Sequence, residues 1–163
     1  MLASTVLLGL PTATALATCN STQTGVENCI DGPTPPSLVY LLTVEATETP
    51  PMIIGNGGHG NRLVIPITGG TFSGPKLQGK VLAGGGDWGS YDTANKVFAP
   101  DAKIVLETAD GANILVSGRG KSPWATIEFE TGSEEYSWLN DAIGVGLIRV
   151  GENNLTAEIF QVA

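Results

Sequence analysis

The sequence predicts an all-β protein, a single antiparallel β-barrel of about eight to ten short strands with one short helix near 133–140. Three observations predict it. Apolar and polar residues alternate with period two in short runs from Leu38 to Val162. The 163 residues include 22 Gly and 10 Pro, which weaken helices and serve tight turns. No segment reads as the crossover helix that parallel strands need. An antiparallel sheet with that many edges must close on itself or stack, so a two-sheet sandwich is the alternative.

Composition narrows the class. With 42 % hydrophobic and 15 % charged residues the chain can bury one real core and is not disordered. A net charge of -8, with eight scattered Lys and Arg, excludes a nucleic-acid partner, since nothing neutralises a run of phosphates.

The order of segments begins with a leader. Leu2 to Leu10 is apolar but too short to span a bilayer, and Ala15-Leu16-Ala17 has the small-x-small form of a signal-peptidase site. Residues 1–17 are therefore expected to be a signal peptide, and the protein secreted, with no membrane partner after cleavage. A flexible tail is the other reading, because the basic n-region is missing. Residues 18–36 form an extension in which Cys19 and Cys29 are expected to close a small disulfide loop, followed by the linker D-G-P-T-P-P. Asn20 and Asn154 head glycan acceptor sequons, which an exported chain would use. Two Cys and one His make a poor zinc set, so no metal is expected.

The barrel domain occupies 37–163. Leu38 to Ala46 is the first strand, with Leu38, Tyr40, Leu42 and Val44 on one face. Thr47 to Asn61, with two prolines and G-N-G-G-H-G-N, reads as a mobile loop. Arg62 to Thr68 is the next strand, edge or bulged at Pro66, and Gly69-Gly70 is a sharp turn. Leu77 to Ala83 follows, and Gly84-Gly85-Gly86 folds the backbone tightly before Asp87 and Trp88. Further strands are expected at 91–98, 103–108, 113–117, 124–130, 143–150 and 155–162, with Asp110-Gly111 as a hairpin turn. Ser133 to Asn140 opens with a Ser cap and two acids, which favours one or two helical turns.

The run I-T-G-G-T-F-S-G-P-K-L-Q-G-K-V-L-A-G-G-G-D-W resembles the hallmark of a small β-barrel family, domain of unknown function 3237. L-E-T-A-D-G-A-N-I and F-E-T-G-S-E-E-Y-S-W-L-N resemble its later segments, so the likeness spans about Ser37 to Val162. It implies a lipocalin-like (calycin-like) barrel with a central cavity, and leaves the activity open. The sequence departs from the family at Ala83, at Gly86 and at Lys121, where an aromatic is frequent; the last departure bears on the cavity rim.

Each candidate for chemistry has a plain structural reading beside it. Asp87, next to an indole and three glycines, is either a partly desolvated general base or a turn cap; Trp88 either faces a pocket or plugs the barrel end. Arg62 and Arg119 either hold a carboxylate or enolate oxygen or form surface ion pairs. Arg149 alternates with Val145 and Leu147, as an interior anchor or as a strand end reaching solvent. Tyr40, Trp124 and Trp138 either line a cavity or pack a core. His59, the single histidine, is either a lone acid/base or an exposed loop residue, and one His assembles no hydrolase triad. The carboxylates Glu107, Glu128 and Glu130 alternate onto the outer face.

Two function classes follow. One is a barrel that binds a small apolar or aromatic molecule. The other is a cofactor-independent isomerase or cyclase in which Asp87 pairs with Arg119 or Arg62 in the cavity; a structural or interaction protein is third. No cofactor is called for, because the triple glycine has no G-K-[ST] and opens no helix. Oligomeric state is not encoded in any motif.

Overall fold

The computed structural model describes residues 34–58 and 60–163. The expected leader, the Cys19–Cys29 pair, Asn20 and His59 lie outside the described residues. From Pro36 to Ala163 the chain clusters as one unit.

Among the described residues, twelve strands form in chain order. They are β1 (Leu38–Glu48), β2 (Met52–Asn56), β3 (Asn61–Ser73), β4 (Gln78–Val81), β5 (Gly86–Asp87) and β6 (Ser90–Asp92). After them come β7 (Val97–Ala99), β8 (Asp101–Thr108), β9 (Asn113–Lys121), β10 (Trp124–Glu130), β11 (Ile143–Val150) and β12 (Asn154–Val162). Eight staves run β1-β12-β11-β10-β9-β8-β4-β3, and β3 pairs back onto β1, so the barrel is closed. Closure removes the sheet edges that an open antiparallel sheet would expose.

Alternation builds the wall. Along β10, Ala125, Ile127 and Phe129 are buried while Thr126, Glu128 and Glu130 are exposed, as a half-buried strand demands. β9 and β12 repeat the pattern with Ile114 and Val116, and with Ala157 and Ile159.

β5 pairs with β3 and β8, as β4 does, so it resumes the same stave after a break at Leu82–Gly85. Gly84 takes φ +106, and a Cβ on Gly85 would meet the Lys103 carbonyl at 2.6 Å. The glycines thus let the stave jog outward and return, which is what delivers Asp87 to the wall.

Several local expectations are corrected. Gly69-Gly70 is not a turn: β3 runs through both residues to Ser73. β1 crosses so close there that a Cβ on Gly70 would lie 2.1 Å from the Glu45 carbonyl oxygen, so the residue bends the strand without ending it. The loop expected over 47–61 is partly strand, because β1 extends to Glu48 and β2 pairs with the first half of β3. The single strand expected over 91–98 is the hairpin β6–β7, turned by Asp92 Oδ1 accepting the Ala94 and Asn95 amides at 2.9 and 3.1 Å. In β1 the register shifts between Tyr40 and Leu42, so Leu41 and Leu42 are both buried and Tyr40 faces out.

The helix expected at 133–140 is only a 3-10 turn, Ser137–Asp141, and Ser133 does not cap it. Asn140 instead accepts the Thr131 amide (2.8 Å) and donates to its carbonyl (3.0 Å), tying the segment to the end of β10. A segment tied back at both ends over so few residues has no room to propagate an α-helix.

The two halves of the interior differ. Leu42, Phe72, Leu106, Ile114 and Phe129 pack with Leu139 of the 3-10 turn, and this end of the barrel is filled. The opposite half, bounded by the starts of β5 and β8 and the ends of β1 and β11, encloses a cavity.

Candidate functional site: an apolar cavity with two carboxyls

Inward-facing residues of the upper half line one cavity of roughly 800 Å3, its solvent-facing mouth included. Its walls are apolar: Val44, Ile67, Ile104, Val116, Ile127 and Ile159 form the floor, and Phe98, Pro100, Val150 and Leu155 ring the mouth. Among the described lining residues, three have polar side chains: Glu48, Asp87 and Ser122. No Lys, Arg or described His is among them.

Asp87 sits where β5 rejoins the wall, opposite Ile65 of β3 and Ala102 of β8. Its Oδ1 accepts the Asp101 backbone N–H at 2.8 Å. Burial pushes its carboxyl up to about 6 from 3.8; the Asp101 amide works against that rise and the Asp101 charge adds to it. Asp101 is itself held by Arg119, whose Nε donates to Asp101 Oδ1 at 2.9 Å. A carboxyl titrating near 6 exchanges its proton readily at neutral pH.

Glu48 closes β1 on the other side of β3. Leu42, Val44 and Ala46 are buried along β1, and Glu48 continues the same alternation into the cavity. Its carboxyl is also raised, first by burial and then by the charge of Asp87. The sequence reading placed Glu48 in a loop. Extending the Leu42-Val44-Ala46 alternation by one step was the signal that could have found it.

Of the described candidate site residues, only Asp87 lines the cavity. Trp88 follows just past the end of β5 and points away, 42 % exposed, while its carbonyl accepts Arg62 Nη1 and its amide donates to the Asp101 carbonyl. Arg119 lies on the outer face with Asp101, so neither arginine joins Asp87 in the cavity as the expected Asp–Arg pair required. Tyr40 stacks edge-to-face on Phe160 outside the barrel (5.9 Å), and Trp124, half exposed, starts β10 opposite Leu147 on that outer face. Trp138 is at the filled end, under Lys76 Nζ at 4.9 Å from its ring. Arg149 pairs with Glu158 at 2.9 Å outside the wall, because Ile148 and Val150 take the inward positions of β11. Lys121 is exposed at the end of β9, and Asn154 is exposed at the start of β12.

A closed antiparallel barrel, filled at one end and hollow and apolar at the other, defines a cavity-bearing β-barrel. Within that class the chain belongs to the family described as protein of unknown function (DUF3237), which matches residues 36–162. It is 35 % identical over 114 residues to the hydroalkoxylation enzyme phnH of Penicillium herquei, covering 70 % of this chain and 75 % of that protein. Solved structures agree in fold. A β-barrel-like protein from Acinetobacter baumannii superimposes with a TM-score of 0.75 at 29 % identity, over 82 % of this chain and 99 % of that one. An enzyme from Penicillium herquei does so with a TM-score of 0.72 at 31 % identity, over 82 % and 98 %.

Proposed function

We propose that the barrel holds one small, uncharged, largely apolar molecule in its cavity and that Asp87 moves a proton in a cofactor-independent cyclisation of it. The observation that carries this reading is the Asp87 carboxyl, titrating near 6, set in a cavity whose walls are otherwise almost wholly apolar. Such a wall orients an apolar substrate and excludes water, while the carboxyl supplies the one polar act. The related hydroalkoxylation enzyme supports the reaction class. In a hydroalkoxylation a hydroxyl adds across a C=C bond: the O–H and π bonds are consumed, C–O and C–H bonds form, and no electrons are gained or lost. Only protons need to be moved, which a carboxyl does without a cofactor.

The experiment is turnover of an alkenyl phenol such as ortho-allylphenol, followed by chromatography for the cyclic ether of unchanged mass. Conversion by the native protein, with a loss of about 100-fold in Asp87→Asn, is the expected result. Equal conversion by both would remove Asp87 from the chemistry.

A second reading, a binding protein without turnover, is favoured by the scarcity of polar groups in the wall. It is distinguished by tight binding of the phenol with no product in either protein.

A further inference from the structure

The cavity contains one carboxyl more than the proposed chemistry has used. Glu48 and Asp87 lie on the two strands that flank β3: Glu48 pairs with Ile67 and Asp87 with Ile65, two positions apart on the same inward face. Their backbones are therefore separated by two strand spacings and a two-residue stagger, about 12 Å along a concave wall. That distance leaves a substrate space between two carboxyl-bearing side chains that both reach the same apolar volume.

We propose that Glu48 is a second catalytic residue, acting as the base opposite Asp87 as the acid, on an uncharged substrate whose hydroxyl and alkene lie between them. This assignment rests on the cyclisation reading. Glu48 takes the proton from the substrate hydroxyl, the oxygen bonds to the nearer alkene carbon, and Asp87 delivers its proton to the other. The pair ends with its proton exchanged from Asp87 to Glu48. Return of that proton through water at the mouth resets it.

The division of roles follows from surroundings. Asp87 is held by the Asp101 amide where β5 rejoins the wall, and burial raises its carboxyl to about 6, so it keeps a proton well above the ordinary carboxylate range and suits the acid. Glu48 stands at the strand end beside the β11–β12 turn, where its amide donates to the Asn153 carbonyl and water reaches it. The elements packed around the pair add few charges. β8 brings Asp101, neutralised by Arg119 of β9; the β11–β12 turn carries the exposed Glu152; β3, β7 and β12 present Ile65, Ile67, Phe98 and Leu155.

The same arrangement sets the substrate class. With two carboxyls and no cation among the described residues of the wall, a carboxylate or phosphate ester would be buried beside like charge without a partner, which is strongly unfavourable. A neutral alkenol or alkenyl phenol meets no such penalty.

Two measurements test the pair. In the first, turnover of ortho-allylphenol is followed against pH for the native protein, Glu48→Gln and Glu48→Asp, with affinity for the saturated ortho-propylphenol measured alongside. The native profile should be bell-shaped. Glu48→Gln should lose about 100-fold in rate and the acidic limb, Glu48→Asp should recover part of both, and ortho-propylphenol affinity should stay within about threefold. A Glu48→Gln protein with native rate and both limbs overturns the proposal.

The second measurement is independent of turnover. Carboxyl NMR should show the Glu48 titration midpoint falling when Asp87 is changed to Asn, because the neighbouring charge is gone. A Glu48 midpoint that does not move refutes the pair. If the native protein converts no alkenyl phenol while the midpoint does move, the pair stands and the cyclisation reading fails.

Discussion

Asp101 donates its backbone N–H to Asp87 Oδ1 at 2.8 Å while its own carboxylate accepts Arg119 Nε at 2.9 Å. The cavity carboxyl is thus fixed from outside the wall by an exposed ion pair. Arg119 serves the site without entering it: it cancels the Asp101 charge that would otherwise push Asp87 further up. In Arg119→Met the Asp87 midpoint should therefore rise above about 6. Carboxyl NMR of the variant checks it, and a midpoint that falls or stays contradicts the linkage.

Asp87 also links stability to pH. Its folded-state carboxyl titrates near 6 and its unfolded one near 3.8. The stabilisation that goes with the proton is full below the unfolded value and is lost as pH rises through about 6. Asp87→Asn removes this loss. The variant should match the native protein in urea unfolding below pH 4 and exceed it at pH 7.5 by about 1–2 kcal/mol, a figure reduced for water screening at the mouth.

The two halves of the interior should respond oppositely to substitution. Leu139 is fully buried in the filled end. Leu139→Ala should cost about 2–5 kcal/mol by calorimetry or denaturation. Affinity for ortho-propylphenol should change little, because the plug is remote from Asp87.

Ala157 faces the cavity from β12. Ala157→Phe would occupy ligand space, and its stability change should stay within about 1–3 kcal/mol, since the added ring enters a void. Calorimetric titration should show ortho-propylphenol binding weakened at least tenfold, or about 1.4 kcal/mol.

The parts of the fold legible in the sequence are those decided by alternation. β10 was readable to the residue, and β11 likewise, because one side of each strand is apolar or glycine and the neighbours are sequential. What alternation could not show was long-range approach. Gly69-Gly70 looks like a turn until β1 is known to press on Gly70. The β1 bulge at Leu41 reverses the faces of Leu38 and Tyr40, and nothing local announces it. β2 is short, exposed and set between prolines and glycines, so its only support is its pairing with β3.

The site was legible to a smaller degree. Asp87 stood out through its glycines, which the break in its stave explains. The arginines and aromatics stood out by residue type, yet side-chain direction places them outside the wall or at the filled end. Glu48 was hidden because its partner is 39 residues away and two strands across the barrel. Charge in a cavity is a property of closure, which no single segment contains.

The most direct measurement is a carboxyl NMR titration of Asp87 in the native protein, free and with ortho-propylphenol bound. A midpoint near 6 that rises when the apolar ligand displaces water would place this carboxyl against the ligand in a dry cavity. A midpoint near 3.8, unmoved by a ligand shown to bind, would put Asp87 in water and contradict its role in the cavity.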